Sequence, residues 1–310
     1  MPILYFLQSI RTPFLDTVMS LFTRLGEETV FLVVALLVFW CIDKKRGYLL
    51  MLIGFMGIVL NQFLKLTFRI PRPWVKDPGF SIVSGAMEEA TGYSFPSGHT
   101  QTAAGTFGCV ARGTRSTAWR IVCIVLVLLV AFSRMYLGVH TPLDVGVSLL
   151  IGAVLVIFVY PLLEKAMGKD RSAWWVIGGL VGVALVYLLY TELYPFPLDM
   201  DPHNLESGRS NAYTMIGCAL ALFPVYALDR YRLHFETKAP LPGQIMKLLL
   251  GAAIAVALKT LLKQPLLDLF DGHMIARAVR YFIIVLFAGV LWPMTFPLWQ
   301  KLGRKKSRQC

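Results

Sequence analysis

Three short groups of polar residues interrupt an apolar sequence, and their side chains suit the handling of a phosphate group. They are, in chain order, Lys65 with Arg72-Pro73, then Pro96-Ser97-Gly98-His99, then Ser133-Arg134 with His140 and Asp144. The lysine and the two arginines would surround a dianionic or trianionic group, because arginine offers a fork that matches phosphate oxygens and lysine offers a point charge. The three groups together therefore predict an anion clamp built from separate parts of the chain.

Two histidines accompany this predicted clamp. His140 and Asp144 are four residues apart, so the carboxylate can reach the imidazole, fix its tautomer and stabilise the imidazolium that forms. His99 is then available as a general acid. The set amounts to a nucleophile, its orienting carboxylate and an acid beside an anion clamp. A structural alternative stays open for Asp144, because Thr141-Pro142 is typical of a helix start and Asp144 would cap its first turn.

The segment Ser97-Gly98 is predicted to open an apolar helix. Free N–H groups and the positive end of the helix dipole make such a start a site for an anion, and glycine lets the backbone approach a ligand closely. Taken singly, Ser97-Gly98 also fits a simple turn, Arg72 a snorkelling charge and His99 a polar residue at the membrane interface. The occurrence of all three groups in order favours the functional interpretation, as does the expectation that ionisable groups near membrane depth serve a function.

The elements that position these residues are predicted to be transmembrane helices. The chain has 310 residues, of which 56% are hydrophobic and 15% charged, and its mean hydropathy is +0.63, whereas a soluble domain carries about 25% charged residues. Many apolar runs are long enough to cross about 30 Å of hydrocarbon. We therefore expect an all-α, polytopic integral membrane helical bundle. Its spans, about nine in number, are predicted near 28–42, 47–66, 98–112, 118–138, 142–163, 173–190, 211–228, 244–264 and 278–299.

The net charge of +12 does not indicate nucleic-acid binding, because no basic stripe is interleaved with exposed aromatic residues. Most Lys and Arg residues lie in short tracts between apolar runs, the last of which is the tail 301–308. If these tracts are cytoplasmic, the C-terminus is cytoplasmic and the predicted site faces the outside or a lumen. The five cysteines form no CxxC pair, so neither a disulfide framework nor a zinc site is predicted.

Three regions are predicted along the chain. Residues 1–27 would form an amphipathic segment on the membrane surface, since charged residues interrupt its apolar stretch. Residues 28–163 hold the three polar groups and would form the catalytic core. Residues 164–310 would add further transmembrane helices and the basic cytoplasmic tail.

The polar groups match the signature of the type 2 phosphatidic acid phosphatase superfamily. Its pattern is KxxxxxxRP, then PSGH, then SRxxxxxHxxxD, and each fixed position is present between Lys65 and Asp144. The stretch 28–163 resembles the core of this family. A typical six-span member ends soon afterwards, so the residues beyond 163 depart from the usual pattern.

The resemblance implies a role for each of the matched residues. His140 would attack phosphorus and form a phosphohistidine, Asp144 would hold His140, and His99 would protonate the leaving oxygen and then activate water. Lys65, Arg72, Ser97, Gly98 and Arg134 would bind phosphate. No metal or other cofactor is expected, because cationic side chains stabilise the oxygens that a metal otherwise would.

We therefore predict a membrane phosphatase acting on an amphiphilic, lipid-linked phosphate of the phosphatidate, polyprenyl or sphingoid type. One alternative is a sugar-phosphate phosphatase resembling glucose-6-phosphatase, which shares the motifs. A second is a lipid transporter or flippase that retains the site. A third is a vanadium haloperoxidase, whose members are typically soluble. The oligomeric state is open.

Overall fold

A computed structural model of the chain describes residues 1–87 and 90–302. Within these residues every regular element is a helix, in agreement with the all-α prediction. The helices are α1 (Pro2–Ser9), α2 (Pro13–Arg24), α3 (Glu28–Leu37), α4 (Lys44–Phe68), α5 (Pro73–Lys76), α6 (Gly98–Gly113), α7 (Thr117–Tyr136), α8 (Pro142–Val154), α9 (Tyr160–Ala166), α10 (Asp170–Leu193), α11 (Pro202–Leu228), α12 (Leu241–Leu261), α13 (Lys263–Leu269), α14 (Ile275–Leu286) and α15 (Phe296–Trp299). Single π-helical turns continue some of them, at Val38–Ile42, Leu155–Val159, Asp229–Leu233 and Phe287–Leu291.

Seven continuous helical stretches of the described residues are long and apolar enough to cross a membrane. They are Lys44–Lys76, Thr117–Tyr136, Pro142–Ala166, Asp170–Leu193, Pro202–Leu233, Leu241–Leu269 and Ile275–Trp299. An eighth is possible if Pro13–Arg24 and Glu28–Ile42, which are bent by 49° at their junction, form one broken span.

The predicted count of about nine is not confirmed. Seven of the predicted spans correspond to the seven stretches, whereas the two shortest predictions, 28–42 and 98–112, do not stand as separate spans. Helix α6 has 16 residues, which at about 1.5 Å per residue falls short of about 30 Å of hydrocarbon. The basic tail from residue 303 onward lies outside the described residues.

Capping residues explain where the helices around the predicted site begin. The side chains of Thr12, Ser97, Ser116 and Thr141 each accept a hydrogen bond from a backbone N–H in the first turn that follows. Such side chains satisfy donors that a helix start otherwise leaves open. Proline at the first helical position after Thr12 and Thr141 adds a backbone angle that already suits a helix.

The described chain falls into two compact units. The first comprises Met1–Leu32, Leu49–Val176 and Val186–Ala212. Within it α6 packs against α7 and α8. Gly152 of α8 lies so close to the Ala104 side chain of α6 that a β-carbon at this position would collide with it. This close contact brings together the starts of α6 and α8, where two of the three polar groups lie.

The N-terminal residues also belong to the first unit. The apolar stretch predicted as one amphipathic segment forms two helices, α1 and α2, because Thr12-Pro13 ends one and caps the next. Arg11 donates to the carbonyl oxygens of Tyr136 (3.1 Å) and Ser81 (2.7 Å), and the Tyr136 hydroxyl donates to Asp16 (2.8 Å). These bonds hold α2 against the end of α7, next to Arg134.

The second unit comprises Val33–Tyr48, Ile177–Leu185 and the chain from Tyr213 onward. Its core is formed by aromatic side chains, some of which also donate hydrogen bonds to backbone carbonyl oxygens. Trp40 Nε1 donates to the Ala288 carbonyl (2.9 Å), and Trp292 Nε1 donates to the Lys247 carbonyl (3.0 Å). The predicted division at residues 27 and 163 stays a prediction.

Candidate active site

His140 and Asp144 lie at the start of α8, and both are 1% exposed. Asp144 Oδ2 accepts hydrogen bonds from the Thr141 backbone N–H (2.7 Å) and the Ser94 hydroxyl (2.6 Å). The same oxygen lies 3.6 Å from His140 Nδ1. Asp144 is therefore a helix cap and also faces the histidine, so the two interpretations of this residue are compatible.

Arg72 lies against the other ring nitrogen of His140. Its Nη1 is 2.9 Å from His140 Nε2 and donates to the Val139 carbonyl (3.0 Å). Its Nε and Nη2 donate to the carbonyl oxygens of Gly92 (3.0 Å) and Thr91 (2.7 Å). Because arginine only donates hydrogen bonds, His140 Nε2 must accept, which leaves the ring proton on Nδ1, facing Asp144. This tautomer has the Nε2 lone pair that a nucleophile needs.

The electrostatic surroundings keep His140 neutral. Burial, together with the positive charges of Arg72, Arg134 and Lys65, holds the pKa of His140 well below its ordinary value of 6.5. A neutral imidazole retains its lone pair at pH values where an exposed histidine would be protonated. The site therefore favours the nucleophilic form of His140.

The three predicted clamp cations are all buried and close enough to interact. Lys65 is 6%, Arg72 5% and Arg134 0% exposed, and the charges of Arg72 and Arg134 act on Lys65. Lys65 Nζ donates to the Thr91 carbonyl (3.3 Å), and Arg134 Nη1 donates to the Thr23 hydroxyl (2.6 Å). The carboxylates that act on Lys65 are those of Asp144 and Glu28, so the three buried cations still outnumber them, and this surplus of positive charge suits a phosphate group.

Ser97 begins α6 and ties it to α8. Its N–H donates to the Asp144 carbonyl (3.2 Å), and its own carbonyl accepts from the Ser148 hydroxyl (2.9 Å). The Ser97 hydroxyl accepts from the Thr100 N–H (3.4 Å) and hydroxyl (3.0 Å). A β-carbon on Gly98 would make only an ordinary 3.7 Å contact with Asn61, so packing within the protein does not itself require glycine there.

His99 follows Ser97-Gly98 in the first turn of α6. Its Nε2 is buried and has no hydrogen-bond partner among residues 1–87 and 90–302. Burial and the nearby Arg134 and Lys65 lower the pKa of His99 well below 6.5. Its use as an acid therefore requires a bound anion, whose negative charge would offset the surrounding cations and favour the protonated ring.

Several residues that support this site carry no motif that would have identified them. Ser94 and Thr23 bind Asp144 and Arg134 through hydroxyl groups. A β-carbon on Gly26 would lie 2.7 Å from the His99 carbonyl oxygen, so this glycine allows the α2–α3 junction to approach α6. The motif residue Ser133, by contrast, donates to the Val130 carbonyl of its own helix (2.7 Å).

Two family models match this chain. The family model described as PAP2 superfamily matches residues 44–167, and the model described as PAP2 superfamily phosphatase, transmembrane extension, matches residues 213–304. With the apolar helices, the second match makes this an integral membrane protein. No solved structure matches the chain.

Three curated relatives are named as lipid phosphatases. The chain is 28% identical over 282 residues to a probable sphingosine-1-phosphate phosphatase of Dictyostelium discoideum, covering 86% of this chain and 65% of that protein. It is 33% identical over 142 residues to an undecaprenyl-diphosphatase of Sulfolobus acidocaldarius, covering 45% of this chain and 66% of that protein. It is 28% identical over 171 residues to phosphatidylglycerophosphatase B of Bacillus subtilis, covering 50% and 79%. The chain thus spans just under two thirds of the length of the first two.

Proposed function

Because this chain belongs to the PAP2 superfamily, we propose that it is a phosphatase that hydrolyses lipid-linked phosphomonoesters or diphosphates with His140 as nucleophile. The observation that carries the proposal is the arrangement of the His140 ring. Arg72 lies at Nε2, Asp144 faces Nδ1, and two more cations are buried nearby. This geometry leaves a neutral nucleophilic nitrogen beside groups that bind phosphate oxygens.

The proposed reaction proceeds in two displacements. Arg72 first exchanges its bond to His140 Nε2 for one to a phosphate oxygen, which frees the Nε2 lone pair. His140 Nε2 then donates this lone pair to phosphorus while the bond from phosphorus to the leaving oxygen breaks, and His99 gives its proton to that oxygen. Lys65, Arg72 and Arg134 hold the equatorial oxygens, and Asp144 stabilises the positive charge on the ring. His99 then takes a proton from water, whose oxygen attacks phosphorus as the bond to Nε2 breaks and phosphate leaves.

Two variants test the roles of the histidines. In His140→Ala both turnover and the phosphoenzyme should be lost. In His99→Ala turnover should fall by about 10²–10⁴-fold. A substrate with a good leaving group should still phosphorylate His140 in this variant, because such a group departs without being protonated. Normal turnover by His140→Ala, or a phosphoenzyme whose phosphate is attached to a different residue, would refute the assignment of His140 as nucleophile.

The proposed substrate class is an amphiphile whose phosphate lies at the membrane interface. Site residues lie at the ends of long apolar helices, at Lys65 in α4, Arg134 in α7 and Asp144 in α8. Lateral diffusion can deliver a lipid phosphate there while its tail stays in hydrocarbon, and burial of each CH₂ group contributes about 0.8 kcal/mol. Activity in detergent micelles on phosphatidate, polyprenyl and sphingoid phosphates should exceed that on glucose 6-phosphate by about tenfold or more in kcat/KM. Equal efficiency on the water-soluble ester would favour a sugar-phosphate phosphatase.

The orientation that we propose places the site outside or in a lumen. About seventeen of the 30 Lys and Arg residues lie in the basic tracts that the positive-inside rule assigns to the cytoplasm. A membrane-impermeant thiol reagent added from outside should label His203→Cys and spare Arg115→Cys in a background without native cysteines. The reverse pattern would refute the orientation.

The proposed mechanism needs no divalent metal, since the clamp cations supply the charge that stabilises the transferred group. Turnover should persist in excess EDTA. Vanadate should inhibit, because it takes the shape of the transition state. Loss of activity in EDTA that magnesium restores would contradict this part of the proposal.

A further inference from the structure

The start of α14 carries two arginines that the proposed reaction does not use. Arg277 and Arg280 are three residues apart in Ile275–Leu286 and therefore lie on one side of the helix. Both guanidinium groups lie near the Tyr281 ring, with Cζ 5.7 Å and 5.5 Å from its centroid. Arg277 Nε also donates to the Thr214 hydroxyl of α11 (2.7 Å).

Arg280 is buried and forms no ion pair with the residues that the structure describes. It is 7% exposed, and its Nε has no hydrogen-bond partner among the residues that the structure describes. Within the same residues, the ion pairs closer than 4.0 Å involve neither Arg277 nor Arg280. An arginine in this setting has lost water without gaining an anion, which is unfavourable unless something else supplies the negative charge.

The local helix geometry makes this arrangement still less favourable for the protein alone. Arg277 lies in the first turn of α14, where the positive end of the helix dipole opposes a cation, and its charge acts on Arg280. Arg280 is 7% exposed and its Nε is buried, so most of its side chain is covered by protein and does not extend freely into solvent as a snorkelling arginine does. The positive potentials of Arg277, Arg280 and the helix start add up at one place, which favours the binding of an anion.

The packing of α11 on α14 holds the cluster in place. A β-carbon on Gly217 of α11 would collide with the Ala278 carbonyl of α14, so the two backbones touch one residue away from Arg277. Thr214, one helical turn before Gly217, therefore stays within reach of Arg277. Nearby, the rings of Tyr213 and His273 pack edge to face at 6.0 Å. The arginines are thus part of a rigid contact between two long helices.

We propose that Arg277 and Arg280 form a second anion site that binds a phosphate group, with the Thr214 hydroxyl as a neighbouring polar contact. A planar guanidinium fork fits two phosphate oxygens, and a phosphate at the start of α14 also meets the favourable end of the helix dipole. The phosphate belongs either to the head group of an anionic membrane lipid or to free phosphate. This site is separate from the proposed chemistry, and its existence does not depend on which residue is the nucleophile.

Native mass spectrometry of the detergent-purified protein titrated with phosphatidylglycerol tests the proposal. Arg280→Gln and Arg277→Gln should each weaken binding by about tenfold or more, the size expected for a lost charge-assisted contact. Arg232→Gln, which removes the same charge from an exposed residue of the same unit, should bind like the wild type. Equal affinity in wild type and Arg280→Gln, or equal loss in Arg232→Gln, would overturn the site.

Two further experiments distinguish this site from the catalytic site and a lipid head group from free phosphate. Arg72→Gln removes the catalytic clamp, so loss of binding in this variant would place the lipid in the catalytic site and overturn the proposal. Inorganic phosphate, used alone in a thermal-shift titration of Arg72→Gln, identifies the source of the anion. Protection equal to that by phosphatidylglycerol would indicate free phosphate, and protection by the lipid alone would indicate a head group. If Arg280→Gln fails to fold, the half-buried Arg277→Gln decides the outcome.

Discussion

Each of the two compact units buries a lysine in its interior, and the surroundings of the two residues differ. Lys247 of the second unit donates to the carbonyl oxygens of Trp40 (2.9 Å) and Thr237 (2.7 Å) and lies 4.5 Å from the centroid of the Phe296 ring. Lys65 of the first unit donates to the Thr91 carbonyl at 3.3 Å and shares its surroundings with two arginines. Carbonyl groups and an aromatic ring of the protein offset the charge of Lys247. Around Lys65, by contrast, two arginines add further positive charge.

A buried cation that only stabilises the fold can be distinguished by its surroundings from one that is suited to bind an anion. Carbonyl dipoles and an aromatic face stabilise a buried ammonium group without any carboxylate. A group of mutually repelling cations is unfavourable for folding and is retained where it binds an anion. The two arginines at the start of α14 share the Tyr281 ring as an aromatic face, as Lys247 shares that of Phe296, but they also repel each other as the cations around Lys65 do.

The largest expected difference in catalytic activity is between the variants that remove the charge of Lys65 and of Lys247. Lys65→Met should lower kcat/KM by about 10²–10³-fold, the usual loss for one group that stabilises transition-state charge, with little loss of thermal stability. Lys247→Met should leave kcat/KM within about twofold and lower the stability by about 1–3 kcal/mol, because the buried Trp40 carbonyl loses its donor. Steady-state kinetics and thermal melts of both variants would measure this, and similar activity losses in both would break the comparison.

A second prediction concerns Ser94, which the motifs do not include. Ser94→Ala removes the 2.6 Å bond to Asp144 Oδ2, so the carboxylate is less well oriented toward His140 and kcat should fall by about 10–100-fold. Ser133→Ala is the matched control, since that buried hydroxyl bonds only within its own helix among the contacts described, and it should retain nearly full activity. Activity of Ser94→Ala as high as that of Ser133→Ala would show that Asp144 does not need this orienting bond.

The third prediction tests whether the N-terminal helices contribute to the phosphate clamp. Thr23→Val keeps the side-chain shape but removes the 2.6 Å bond from Arg134, so KM should rise by about tenfold. Thr17→Val, on the same helix α2, loses only a bond to the Pro13 carbonyl (2.9 Å) and should leave KM unchanged. Equal KM values in the two variants would mean that Arg134 does not depend on α2.

The smallest effect is a shift in the pH profile. Burial and three cations lower the pKa of His140, and a lowered pKa means that the ring stays neutral until the pH falls below 6.5. The acidic limb of kcat/KM, which reports groups of the free enzyme, should therefore lie below pH 6.5. A limb at or above that value in the wild type would show that the clamp cations do not act on the nucleophile.

The all-helical fold class follows from the sequence, whereas the number of spans and the bends between helices do not. Hydrophobic runs were enough to locate seven stretches that can span a membrane, because length and polarity are local properties. They did not reveal that α6 is too short or that α2 and α3 are bent by 49°. The position of segment 1–27 on the membrane surface stays a prediction, and the sequence did not indicate the bonds of Arg11 and Thr23 to residues at the end of α7.

Residue types and spacing alone predict a phosphate-binding set with two histidines, since that chemistry requires those side chains whatever their surroundings. Only the tertiary structure distinguishes the two ring nitrogens of His140, because folding places Arg72 at Nε2 and Asp144 near Nδ1. The tertiary structure also determines which buried cations have their charge stabilised by other groups of the protein. This stabilisation comes from carbonyl groups and rings distant in sequence, such as Trp40 and Phe296 around Lys247, and no local sequence pattern encodes such contacts.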